Sequence, residues 1–324
     1  MKTFSSIRKI VDASGLEHRM FCEHRDALCR IVDDTLAGHT PSIEWIVGPS
    51  RAGKTYLIET LVRLYPEAKL MGVRRLPVLL AKLPSTVTPL MLPMTVLNAL
   101  GVPAGSKSSQ YFSRMKDQLR LAQTRVLLVE EASHIVEPGA KVIPRAAGDW
   151  FKMVYDELEI TIMMFGLPRL KRLFESNEQL RGRASAKREL RPYDCNVKQD
   201  LLEFASYVRT YLEFFRNEGW TCEVPLDALA KNCYLLGGGL VGLVSKLMRQ
   251  LASQISHQPI RALALEDFAI AAEAIEHFAP VGCAPFSKMV VEPVELNQAH
   301  RHILNVNGMS VRFSELLVPD PATS

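Results

Sequence analysis

Over residues 16–37 the apolar side chains Met20, Phe21, Leu28, Ile31, Val32 and Leu36 return at roughly helical spacing. Gly38 follows as a stop signal, so a helix is predicted there. The pattern then changes to a short apolar run, Ile43 to Val47, which meets a glycine-containing loop and a second helix-periodic stretch, Thr55 to Leu64. Leu76 to Leu83 reads as a second buried strand. Thr88 with Pro89 pairs a helix cap with a first helical residue and predicts a helix to Leu100, kinked near Pro93. After a Gly/Ser/Pro loop at Gly101 to Ser109 come a helix from Gln110 to Ala122 and a strand from Arg125 to Val129. A helical stretch, Asp149 to Leu158, precedes a strand from Ile160 to Phe165.

Strands alternating with helices predict an α/β class with a parallel sheet covered on both faces. After Pro192 the alternation stops. Leu201 to Phe215, Leu226 to Leu235, Leu240 to Ile255 and Leu265 to Phe278 are all helix-periodic with no strand between, which predicts a small helical domain. From Ala279 the chain is rich in Pro and Val, shows little helical period and ends in Pro319, Pro321 and Ser324, as a docked or mobile tail would. The expected organisation is an extension over 1–15, an α/β domain over 16–197, a helical domain over 198–278 and a tail over 279–324. No internal repeat of solenoid length is visible.

Composition changes this picture little. With 48% hydrophobic and 23% charged residues the chain is an ordinary globular one, and disorder throughout is excluded. A net charge of +4 is too mild to identify a nucleic-acid partner unless the charge is clustered. Six cysteines, at 22, 29, 195, 222, 233 and 283, form no Cys-x-x-Cys pair and have no His at zinc-site spacing, so they read as reduced, mostly buried thiols. No stretch approaches the roughly 18 apolar residues of a membrane span, and Met1 to Val11 lacks a signal-peptide core. A soluble, cytoplasmic protein is expected.

The strongest chemical signal is Gly48-Pro49-Ser50-Arg51-Ala52-Gly53-Lys54-Thr55, which fits G-x-x-x-x-G-K-[ST] between a strand and a helix. Glycines let backbone N–H groups close around phosphates, and the helix N-terminus adds positive potential. Lys54 is placed for the β/γ-phosphates and the Thr55 hydroxyl for Mg²⁺. ATP with Mg²⁺ is therefore the expected ligand. The third strand ends in Glu130-Glu131, where a metal-holding acid and a base for an attacking water belong. Glu130 is the candidate metal group and Glu131 the candidate base; the competing reading is that both only solvate a strand end. An acid at the first of these places is ordinarily Asp, and one extra methylene can shift a metal or its water.

From Pro168 to Arg191 eight basic residues face three acidic ones, so here the charge is clustered. If the chain forms a ring, one arginine must reach a neighbour's γ-phosphate; Arg183 is the first choice and Arg181 the second, against a solvated basic face. Lys107, Ser108 and Arg114, on and after the Gly105 to Ser109 loop, offer cationic and hydroxyl donors to a DNA backbone, against an ordinary polar loop. Gly237-Gly238-Gly239 opens a helix carrying Lys246 and Arg249, which either lean over the nucleotide or face solvent. His134, a lone histidine near a strand end, is read as structural.

Taken in order, these stretches resemble the TniB/TnsC-type AAA+ ATPases that regulate DNA transposition, with a CRISPR-associated transposon as one setting the resemblance admits. The matching segments are Trp45 to Leu57, Ala81-Lys82-Leu83-Pro84-Ser85 with Thr88-Pro89, Leu127 to Ile135, Phe165-Gly166-Leu167-Pro168, Glu178 to Arg183, and Gly238 to Leu251. The resemblance implies a P-loop AAA+ fold with a five-stranded parallel sheet and a C-terminal helical lid. It implies an ATP-dependent homo-oligomer, a ring or filament of the hexamer or heptamer class, on double-stranded DNA, passing a signal from a target-selection factor to transposase subunits. It also implies that Arg183 reaches the neighbouring nucleotide and that Lys107-Ser108 faces DNA. Glu130, Leu167 in place of a polar sensor, and Val241 in place of an arginine depart from the pattern and point to slow or conditional hydrolysis. Two rivals remain: a helicase loader or replication initiator, for which no winged-helix signature follows residue 278, and a scaffold that holds ATP without hydrolysing it.

Overall fold

The computed structural model describes residues 7–311, apart from 71, 104 and 106, and the chain divides into two compact units. One comprises residues 20–190; the other joins 1–19 to 191–324. The expected loop residue Ser106 and the end of the tail, with Pro319, Pro321 and Ser324, lie outside the described residues. No described helix is long and apolar enough to cross a membrane.

The first unit is built on a five-stranded sheet: β1 (Ile43–Val47), β2 (Val78–Lys82), β3 (Val126–Glu130), β4 (Thr161–Gly166) and β5 (Arg188–Glu189). Their order is β2-β3-β4-β1-β5 and every pairing is parallel. β3 and β4 are buried along their whole lengths because helices cover both faces, hence their continuous apolar sequences. Helix Arg19–Leu36 buries Phe21, Leu28, Val32 and Thr35 along one face, and the Thr35 hydroxyl meets that of Thr161 at 2.7 Å. Leu97, Met115, Phe151, Leu170, Leu173 and Phe174, from helices and turns that flank the strands, fill the core with Leu127, Val129, Ile162 and Met164.

Two local expectations are corrected here. The helix after β2 begins at Met91, not at Pro89, because Thr88 and Pro89 sit in a turn in which Met91 N–H donates to the Thr88 carbonyl at 3.0 Å. Pro93 then falls in the first helical turn, where a missing N–H is harmless, so it starts the helix without kinking it. The helix before β4 is longer than predicted, Pro144–Leu158, with Pro144 as its first residue.

The second unit is helical: Ile7–Ala13, Lys198–Asn217, Leu226–Leu235, Val241–Ile255, Leu265–Glu273 and Pro293–Val306, with one two-residue parallel ladder between Thr221–Cys222 and Ala262–Leu263. Helix Lys198–Asn217 buries Phe204, Tyr207, Val208, Tyr211 and Phe215 on a single stripe. Contrary to the expectation of little helical period beyond 279, Pro293–Val306 is a helix, with Pro at its first position and a capping box between Glu292 and Glu295. It buries Leu296, Ala299, His300, Ile303 and Leu304 against its own unit. Only Cys233 and Cys283 are buried among the six cysteines; the other four are half-buried, and all six are free thiols.

Candidate nucleotide-binding site

The loop at the end of β1 is pinned by its neighbours. Gly48 N–H donates to the Gly166 carbonyl of β4 at 3.2 Å, while Leu190 N–H donates to Val47 O at 2.8 Å. A Cβ built on Gly48 would lie 2.6 Å from the Leu190 carbonyl oxygen, so the sheet edge passes too close for any side chain. Ala52 N–H closes a turn on Pro49 O at 3.3 Å, and Gly53, at φ +92°, redirects the chain into helix Lys54–Leu64. Gly53 supplies no side-chain cap. The first N–H groups of an 11-residue helix therefore point into the loop with the positive end of the helix dipole behind them.

Three side chains converge on this loop. The Lys54 ammonium donates to the carbonyls of Gly48 and Pro49 at 2.7 and 2.6 Å. Burial pushes its pKa down to about 8, opposed by the charges of Glu131 and Glu130. The Thr55 hydroxyl donates to Glu130 Oε1 at 3.0 Å. Glu130, the last residue of β3, is buried, and the ammonium of Lys82 at the end of β2 stands 3.4 Å from its other carboxylate oxygen. Lys82 and Glu130 are register partners across the two strands, which is why the two side chains meet.

Glu131 follows in the left-handed region, φ +58°, uncommon for a residue with a side chain and a recurrent signature of functional positions. This turn opens the short 3-10 helix Ala132–Val136 and leaves the Glu131 carboxylate 37% exposed, next to a buried Glu130. His134 Nδ1 lies 3.3 Å from the Leu83 carbonyl, and its Nε2 lies 3.9 Å from Glu131 and 4.0 Å from Glu137. The histidine read as structural from sequence is thus anchored on the β2 end, within about 4 Å of the Glu131 and Glu137 carboxylates. Lys82 and His134 are the two residues whose placement sequence reasoning missed.

The basic segment is less open than its charge implies. Arg183 is held by both oxygens of Asp156, at 2.9 and 3.1 Å, and by Gln179 O at 3.1 Å. Arg169 pairs with Glu137, Arg188 with buried Glu44, and Lys187 with Glu189. Lys171, Arg172 and Arg181 are exposed and make no ion pair among the described residues. Lys107 and Ser108 are exposed where a 3-10 turn leads into helix Tyr111–Leu121, and Arg114 is exposed on that helix with its guanidinium beside Gly105.

The glycine run of the helical unit serves packing. A Cβ on Gly239, at φ +97°, would lie 2.2 Å from the Tyr193 carbonyl oxygen, and one on Gly238 would lie 2.4 Å from that of Ala299. Tyr193 N–H donates to Gly239 O at 3.1 Å, and His300 Nδ1 reaches Gly238 O at 3.0 Å. Of the two cations on the following helix, Lys246 donates to Glu276 O at 3.3 Å and Arg249 is exposed.

Comparison with known proteins adds a family to this geometry. The model of the family described as bacterial TniB protein matches residues 18–192, more than half of the 324 residues. No curated protein matches the sequence. Among solved structures, the Aeropyrum pernix ORC2 protein in its ADP form is similar with a TM-score of 0.59 at 14% identity, over 83% of this chain and 73% of that one. Cdc6p from Pyrobaculum aerophilum gives 0.58 at 12%, over 95% and 88%. The Aeropyrum pernix ORC1 protein in complex with DNA gives 0.55 at 12%, over 97% and 85%. At these identities the likeness is one of fold. With the parallel sheet and its loop in place, the chain belongs to the bacterial TniB family and has the fold of the P-loop AAA+ ATPases.

Proposed function

We propose that the chain binds ATP with Mg²⁺ at Gly48 to Thr55, assembles as a homo-oligomer on double-stranded DNA, and relays target selection to a transposase. The observation that carries nucleotide binding is the uncapped helix start at Lys54 behind a loop whose first residue admits no side chain. The donor set fits the ligand: the loop N–H groups and Lys54 for phosphate, the Thr55 hydroxyl and the Glu130 carboxylate for a hard, oxygen-seeking cation. A Mg²⁺ ion held by Thr55 and Glu130 would supply positive charge to offset that of the phosphates. Glu131, half-buried beside buried Glu130, is the candidate to take the proton of the attacking water. Arg183 is the candidate to act on a neighbouring subunit's nucleotide, and Lys107, Ser108 and Arg114 are the candidates for DNA phosphates. Family membership is what favours transposition over replication initiation, because the ORC and Cdc6 likeness is of fold alone.

A second reading has an observation of its own. Leu167 offers no polar group after β4 and Val241 is apolar and buried, which favours a chain that holds ATP as a structural element. Two measurements separate the readings. DNA affinity measured with ATP, with ADP and without nucleotide should differ; equal affinity in all three removes the switch. Phosphate release should fall in Glu131→Gln; an unchanged rate favours the non-hydrolysing scaffold.

A further inference from the structure

Both oxygens of Glu130 are engaged by the chain itself, one by the Thr55 hydroxyl at 3.0 Å and the other by the Lys82 ammonium at 3.4 Å. The two partners differ in kind. Thr55 belongs to the loop and supplies a neutral donor. Lys82 supplies a full positive charge from the edge strand of the sheet.

The pair is also asymmetric. The Lys82 side chain is 64% exposed and that of Glu130 only 9%. The carboxylate is therefore fixed by packing, while the ammonium sits on a flexible stem that can return to water at small cost. A buried carboxylate needs a counter-charge, and Lys82 is its ion-pair partner among the described residues.

We propose that Lys82 is a built-in counter-cation for Glu130, which Mg²⁺ must displace when it enters with ATP, so that Lys82 sets the magnesium concentration at which the nucleotide is held. This rests on the reading of Gly48 to Thr55 as an ATP site. A cation beside a metal ligand opposes the metal by like-charge repulsion and by competing for the same oxygen. Removing the charge therefore tightens metal binding, although the solvent around Lys82 limits the size of the effect.

The test uses the full chain and a fluorescent ATP analogue at fixed concentration, titrated with Mg²⁺ for wild type, Lys82→Met and Lys82→Arg. Lys82→Met should lower the half-saturating Mg²⁺ about two- to fivefold. Lys82→Arg should stay near wild type, and added salt should shrink the difference. Far-UV circular dichroism and cooperative thermal melting should be retained in all three, which shows that the variants are folded. A midpoint unchanged or raised in Lys82→Met overturns the role of Lys82 and leaves the ATP site standing. A wild type that binds no analogue with or without Mg²⁺ overturns both.

Discussion

Arg183 grips Asp156 through two parallel hydrogen bonds, so the arginine proposed to act between subunits is bound within its own. The pair is about one-third exposed on each side, and exposed pairs of this kind are worth about 1 kcal/mol or less. Release toward a neighbour is therefore cheap. Asp156→Asn should raise DNA-stimulated ATP hydrolysis by up to about fivefold, and Arg183→Ala should lower it about a hundredfold. Mixing Arg183→Ala with Lys54→Ala subunits should restore part of the lost rate. Failure to restore any activity argues against action in trans.

Lys54 gives a pH signature. Its pKa falls from 10.5 to about 8 because of burial, while the unfolded chain keeps that proton up to the ordinary value. Between these pH values the unfolded state holds more protons, so wild-type stability gains as pH rises through this window. Below the window the cost of the buried charge is fully present. Lys54→Met should therefore be more stable than wild type at pH 7, by an amount on the order of 1–3 kcal/mol. The advantage should shrink as pH climbs from 8 toward 10.5. Denaturant melts at a series of pH values check this, and Lys54→Met should also lose ATP binding.

The glycine run predicts a contrast. Gly239→Ala places a methyl 2.2 Å from the Tyr193 carbonyl oxygen on a left-handed backbone and should destabilise the helical unit by about 2–4 kcal/mol. Lys246→Ala, a few residues on, should change stability by less than about 0.5 kcal/mol. If ATP affinity falls in Lys246→Ala at unchanged stability, the cation has a phosphate role after all.

For DNA, Lys107→Glu and Arg114→Glu should each weaken binding by about tenfold. Each should reduce the slope of log affinity against log salt by about 0.9 for every phosphate that is no longer neutralised. Binding measured at several salt concentrations separates this from misfolding, which removes affinity without changing the slope.

Much of the sheet unit is legible in the sequence because β3 and β4 are buried along their lengths and read as largely apolar runs, and because the Gly48 to Thr55 loop lies where strand turns into helix. β5 is not legible. It is two residues long, lies inside a basic run, and is held by pairing with Ile46 and Val47 and by Arg188 reaching Glu44. Helix Pro293–Val306 escapes for a related reason: Asn297 and His300 are among its buried positions, so polar residues interrupt its apolar stripe. The Lys82–Glu130 and His134–Glu131 pairings depend on strand order and register, which no local pattern encodes.

The closeness of Gly48 to Leu190 has a consequence for transplanting this site. The loop is one wall of a two-walled slot, and the other wall is the backbone of the 184–190 segment, more than a hundred residues away in the chain. Grafting residues 48–55 alone onto another parallel sheet would move a key without its lock. The portable module is the loop together with the edge strand that limits it.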